Sequence, residues 1–168
     1  MTVSVEFPIG AEPGAVWDVL ADVPRHAEWS PECVRMAWAE GWSGPAVDAE
    51  FTGHNSMDEW EWDITGFVTE LSRPERISWI VLGPPDVKEV PSSTWTYRLA
   101  PIDGGTMVTQ TFVHGAGASY LRMFVRKQPD RVETLITERA DRMRGNIVST
   151  LTAMAAANGW ACGKAVTG

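Results

Sequence analysis

Asn55, Gln110, His114 and Asn146 are polar side chains set in otherwise apolar, periodic segments, and they are where this chain could do chemistry. Burying such a group without a partner costs about 1 to 3 kcal/mol, so each is either satisfied by the protein or placed to meet a ligand. Gln110 and His114 are in phase with Val108 and Phe112, and Tyr97 with Trp95 and Leu99. Alternate residues of a strand share a face, so all of these look toward the core. A histidine there is a proton carrier or a bonded structural residue. Tyr97 is a phenolic donor to a ligand carbonyl, or a buried aromatic bonded to backbone. His54 is out of phase and faces outward, and His26 falls in a surface turn; neither is a candidate. The carboxylates of Glu59, Glu61 and Asp63 alternate with Trp60 and Trp62, which sends the acids to solvent. Serine-nucleophile elbows, zinc-hydrolase HExxH spacing, phosphate loops and Cys/His clusters do not occur, and no cofactor or metal is called for.

The elements that must position these groups follow from periodicity. Thr2 to Ile9 alternates as a strand. Pro13 opens a helix carrying Val16, Trp17, Val19 and Leu20, and Arg25 to Ser30 reads as a second helical turn. Six further strands are predicted at Val34 to Trp38, Val47 to Asn55, Glu59 to Leu71, Arg76 to Leu82, Thr94 to Leu99 and Thr106 to His114. Turn residues separate them at Ser72-Arg73-Pro74-Glu75, Gly83-Pro84-Pro85 and Asp103-Gly104-Gly105, which implies an antiparallel meander. Gly115 to Gln128 has Tyr120, Leu121, Phe124 and Val125 at helical spacing. It reads as a short helix, a lid or a connector. From about Asp130 to Ala157, Ile136, Ala140, Met143, Ile147, Leu151 and Met154 recur at steps of three and four on one apolar face. Glu133, Arg139, Asp141, Arg142 and Arg144 form the wet side. About 28 residues at 1.5 Å give a rod of roughly 40 Å, enough to cross a small domain.

Nine tryptophans in 168 residues are far above ordinary use. Trp29, Trp60, Trp62, Trp79 and Trp95 read as an inner wall, with Phe51, Phe112 and Met143 beside them. Such a wall either beds a flat, greasy ligand or fills the interior by packing. Positions 1 to 90 hold 5 basic and 17 acidic residues, and the remainder 9 and 5, for a net charge of −8. That balance argues against nucleic acid as a partner. No signal-peptide pattern or apolar run of membrane-spanning length is read, so the expectation is one soluble cytoplasmic domain over 1–168.

Ala15-Val16-Trp17-Asp18-Val19-Leu20-Ala21-Asp22, Glu28-Trp29-Ser30-Pro31, Thr94-Trp95-Thr96-Tyr97-Arg98-Leu99 and Gly105-Thr106-Met107-Val108-Thr109-Gln110-Thr111 together resemble the polyketide cyclase/dehydrase and lipid-transport group of the START-like, or SRPBCC, superfamily. The resemblance spans nearly the whole chain. It implies an α+β helix-grip fold: a curved seven-stranded antiparallel sheet around a long C-terminal helix, two short helices after the first strand, and an elongated cavity between. It implies two functions. One is a cyclase- or dehydratase-like enzyme of natural-product biosynthesis acting on an apolar carbonyl compound, with His114, Gln110 and Tyr97 catalytic. Trp29, Phe51, Asn55, Trp60, Trp62, Trp79, Trp95, Phe112, Met143 and Asn146 would then bind ligand, and Arg139 or Arg142 would hold an anionic substrate end. The other is a carrier or sensor of an apolar ligand. A substrate tethered to an acyl carrier protein would dock at Arg122, Arg126, Lys127 and Arg131.

Overall fold

The computed structural model describes residues 1–83 and 87–167. In chain order the elements are β1 (Thr2–Ile9), α1 (Pro13–Ala21), a 3₁₀ turn (Val23–Glu28), β2 (Cys33–Trp38), β3 (Glu50–Met57), β4 (Trp60–Ser72), β5 (Arg76–Val81), β6 (Ser93–Ile102), β7 (Gly105–His114), α2 (Tyr120–Lys127), a second 3₁₀ turn (Pro129–Arg131), α3 (Val132–Ala157) and β8 (Val166–Thr167). The strands form one antiparallel sheet in the order β2-β3-β4-β5-β6-β7-β1-β8. The expected Gly83-Pro84-Pro85 turn extends outside the described residues.

Strand register carries the inner face across the sheet. Val3, Phe112, Trp95, Trp79 and Val68 form one cross-strand row. Val5, Gln110, Tyr97 and Ile77 form the next. A bulge between Val68 and Glu70 shifts the alternation of β4, so that Val68 and then Leu71 pair on the inner side. At Gly66 a side-chain carbon would overlap the Phe51 ring, which therefore lies directly on the backbone of β4.

Helix α3 packs on this face through Ala140, Met143, Ile147, Leu151 and Met154, all buried, with Val16, Trp17 and Leu20 of α1 completing the core. Four expectations change. The sheet has an eighth strand, where Val166 and Thr167 pair with Glu6 and Val5. Ile136 continues the apolar stripe in sequence but is 37% exposed, because the first turns of α3 run past the packed core. Arg139, expected on the wet side, is drawn inward, its side chain only 18% exposed against Glu32. His26, expected in a surface turn, is 6% exposed. No described helix is long and apolar enough to cross a membrane.

Candidate functional site

The deep end of the inner face is aromatic and enclosed. Trp79 and Trp95, opposite each other on β5 and β6, stack at 6.3 Å with their planes 11° apart. Phe112 meets the edge of Trp95 at 4.7 Å, and Tyr97 lies 5.5 Å from Trp79. Gln110 of β7 sits opposite Tyr97 and is buried; its Oε1 has no hydrogen-bond partner among the described residues. Burial pushes the Tyr97 phenol well above its ordinary pKa, so the hydroxyl keeps its proton and acts only as a neutral donor or acceptor.

The 3₁₀ turn closes this end. Three residues per turn put Val23, His26 and Trp29 on one side, and all three are buried. The His26 ring contacts Trp79 at 5.3 Å, Tyr97 at 5.5 Å and Trp29 at 6.4 Å. Its Nε2 lies 2.9 Å from the Leu20 carbonyl oxygen. A carbonyl only accepts, so Nε2 carries the proton and Nδ1 the lone pair. Burial pushes the imidazole down to about 4, against the smaller opposing effects of the Leu20 bond and Asp22.

The other end is looser. Trp60, 39% exposed, meets Phe124 of α2 edge-on at 5.1 Å, while Trp62 lies 4.9 Å from Tyr120. The Tyr120 hydroxyl donates to the Glu61 carbonyl at 3.3 Å. Helix α2 thus rests on β4 through rings. It begins at Ser119, whose Oγ accepts the Arg122 backbone N–H at 3.2 Å and lies 2.8 Å from His114 Nε2. Burial first, then the charges of Arg122, the N-terminus and Arg139, keep His114 below its ordinary pKa. Asn55, Trp62, Trp95 and Asn146 are half-buried. An ion pair spans this mouth: Arg139 grips both carboxylate oxygens of Glu32 at 2.6 and 2.7 Å, and Asn146 donates to the same carboxylate at 3.0 Å.

The predicted residues therefore fall into four groups. Trp29, Trp79, Trp95, Tyr97, Gln110 and Phe112 come together at the deep end, while Asn55, Trp62, His114 and Asn146 flank the mouth. Phe51 and Met143 are enclosed in the core, and Trp60 is on the rim. Arg139 and Arg142 are engaged by Glu32 and Asp58, which leaves neither as a free anchor for an anionic ligand end. Arg122 donates to the Gly115 carbonyl at 2.6 Å and is half-buried, separating it from exposed Arg126, Lys127 and Arg131. An open groove of about 820 Å³ lies outside this interior, bordered by Asp22, Arg25, Glu28, Arg35 and Trp38. His26, Glu32 and Ser119 were not legible as site residues. For His26 a signal existed, since Val23 and Trp29 flank it at the three-residue period of a 3₁₀ turn.

A long terminal helix held by one curved antiparallel sheet, with polar groups on an aromatic inner face, narrows the kinship. The model of the polyketide cyclase / dehydrase and lipid transport family matches residues 1–148. The chain belongs to that family. A Polyketide_cyc-like protein of Corynebacterium glutamicum, solved by NMR, is 28% identical over 90% of this chain and 87% of its own, with a TM-score of 0.58. A protein of Thermus thermophilus shares the fold at a TM-score of 0.64 and 15% identity, covering 92% and 94% of the two chains. The major latex-like protein 151 of Panax ginseng shares it at 0.62 with 8% identity, covering 93% and 95%. No curated protein matches the chain. Members of the polyketide cyclase/dehydrase and lipid-transport family share a scaffold more than a reaction, so the site has to carry the functional argument.

Proposed function

We propose that the protein takes a hydrophobic or aromatic small molecule between the inner face of the sheet and α3, and acts on it as a cyclase- or dehydratase-like enzyme. The observation that carries this is Gln110. A buried amide oxygen without a partner, set beside Tyr97 in an aromatic enclosure, costs the fold free energy that a ligand's polar group would recover. Ring closure of a poly-β-ketone suits these groups. His114, neutral, takes a proton from a methylene between two carbonyls. The enolate carbon bonds to a ketone carbon of the same chain, and the ketone's π pair moves onto its oxygen. Tyr97, which keeps its own proton, hydrogen-bonds that oxygen, Gln110 orients the enol, and the proton carried by His114 is returned through water to the oxygen to give the hydroxyl. Loss of the new hydroxyl with a second α-proton releases water. The substrate is free in this reading, because Arg122 is withdrawn from the basic cluster that an acyl carrier protein would use.

One observation favours a carrier instead: His114 is held by Ser119 and His26 by Leu20, and among the described residues no carboxylate is hydrogen-bonded to either. A soluble linear triketone separates the two readings. The enzyme converts it to a ring-closed product, and Gln110→Ala and His114→Ala each lower the rate by roughly 10²-fold. Triketone recovered unchanged, with stoichiometric quenching of tryptophan fluorescence, gives the carrier; no binding at all removes both.

A further inference from the structure

We propose that His26 accepts a hydrogen bond from a hydroxyl or enol on the bound molecule, which makes the site selective for uncharged hydroxyaromatic or enolic ligands over carboxylates. The proposal rests on the interior taking a ligand, and goes beyond it by naming the ligand's chemistry and the residue that reads it.

The geometry is specific. The Leu20 carbonyl fixes the Nε2–H tautomer, so Nδ1 on the other side of the ring is an obligate acceptor while the imidazole is neutral. Among the described residues nothing donates to it. The Tyr97 ring lies 5.5 Å away, and Gln110, whose buried Oε1 has no partner among the described residues, stands opposite Tyr97 in register. The cluster thus offers one fixed acceptor, one rotatable donor and one amide. A hydroxyl satisfies this set directly: its hydrogen goes to His26 Nδ1 and its oxygen accepts from Tyr97.

A carboxylate satisfies it poorly. It has no hydrogen for Nδ1; Arg139 and Arg142 are paired with Glu32 and Asp58, and Arg122, whose buried Nε has no partner among the described residues, is held at the mouth by the Gly115 carbonyl rather than beside His26. Arg25, which also faces the 3₁₀ turn, holds Glu28 and lies over the Trp29 ring at 5.0 Å. An anion held at His26 would lose hydration with no cation hydrogen-bonded to that ring among the described residues to offset it, the unpaired Nε of Arg122 lying at the mouth.

The test uses the whole protein and three probes of one shape: 2-naphthol, naphthalene and 2-naphthoate, titrated against tryptophan fluorescence at neutral pH. Naphthol is expected to bind roughly tenfold tighter than naphthalene, as one well-placed hydrogen bond allows, and naphthoate weakest. His26→Phe keeps an aromatic ring but removes the acceptor, and is expected to bring the naphthol-to-naphthalene ratio close to one while naphthalene still binds. A ratio unchanged by the substitution overturns the role of His26 and leaves ligand binding standing. Failure of all three probes to bind wild-type protein overturns the binding reading and this one with it. Should His26→Phe not fold, the ¹⁵N resonance of Nδ1 in the wild-type protein decides. It moves when naphthol is added and not when naphthalene is; a resonance indifferent to naphthol refutes the proposal.

Discussion

At one end of the inner face Trp79, Tyr97, Gln110 and Phe112 are 5% exposed or less, while at the other Trp60 is 39% exposed and Asn55, Trp62 and Asn146 are half-buried. Both ends are rich in tryptophan and both carry polar groups. They differ in what holds them. The deep end is packed ring on ring between strands, with polar atoms left unpaired inside it. The mouth is held by a helix resting on one exposed and one half-buried ring and by an ion pair that water still reaches. Aromatic content therefore does not distinguish ligand wall from core; enclosure and unmet hydrogen bonds do. The contrast predicts unequal costs for equal substitutions. Trp79→Ala opens a cavity in packed surroundings and should cost about 3 to 5 kcal/mol. Trp60→Ala removes a ring 39% exposed to water that meets the Tyr120 and Phe124 rings, and should cost about 1 kcal/mol. Urea unfolding of the two variants measures both. Equal losses would mean that the mouth is as closely packed as the core.

The sequence disclosed the deep end better than the mouth for a physical reason. Period-two alternation placed Trp79, Trp95, Tyr97, Gln110 and Phe112 on one face, and the three-to-four spacing of Ala140 to Met154 identified the helix that covers them. Both signals are local. Arg139 reads as solvated until Glu32, 107 positions away, is brought to it by the fold. Val166 and Thr167 are too few to show any period, so the eighth strand had no signature. His26 escaped because a 3₁₀ turn has neither the period of a strand nor that of an α-helix. Its burial was written at a period of three, in Val23 and Trp29. The polar groups of the candidate site were thus half legible: Gln110 and Tyr97 by strand phase, His26 by the period of three around it, and Glu32 only by its neighbours in space.

Acid sharpens the same contrast. The unfolded His26 imidazole titrates near 6.5 and the folded one at about 4, so between these values the unfolded chain binds more protons. Its contribution is fully present above pH 6.5 and is lost as pH falls toward 4, by up to about 3 kcal/mol. His114, also shifted downward, adds a loss of the same sign. The informative quantity is accordingly the difference between proteins. Denaturant midpoints followed from pH 7 to pH 4 should fall less steeply in His26→Phe than in wild type. Parallel curves would place the acid sensitivity at the mouth instead.

The mouth has its own internal test, because two ion pairs tie α3 to the segment before β2 and to the β3–β4 turn and differ mainly in exposure. Glu32 and Arg139 are 14% and 18% exposed, whereas Asp58 and Arg142 are 63% and 45% exposed. Asp58→Asn leaves Arg142 in water and should cost less than about 1 kcal/mol. Glu32→Gln leaves the Arg139 charge half-buried beside Met57 Sδ with only an amide oxygen to meet it, and Asn146 shares that oxygen. Its expected cost is about 2 kcal/mol, between the exposed-pair value and the 3 to 5 kcal/mol of a fully buried one. Added salt should narrow the gap between the two variants only slightly, since the inner pair is less screened. If Glu32→Gln costs no more than Asp58→Asn, solvent screens the whole mouth, and the step from a wet rim to a dry interior lies deeper, at Trp95 and Phe112.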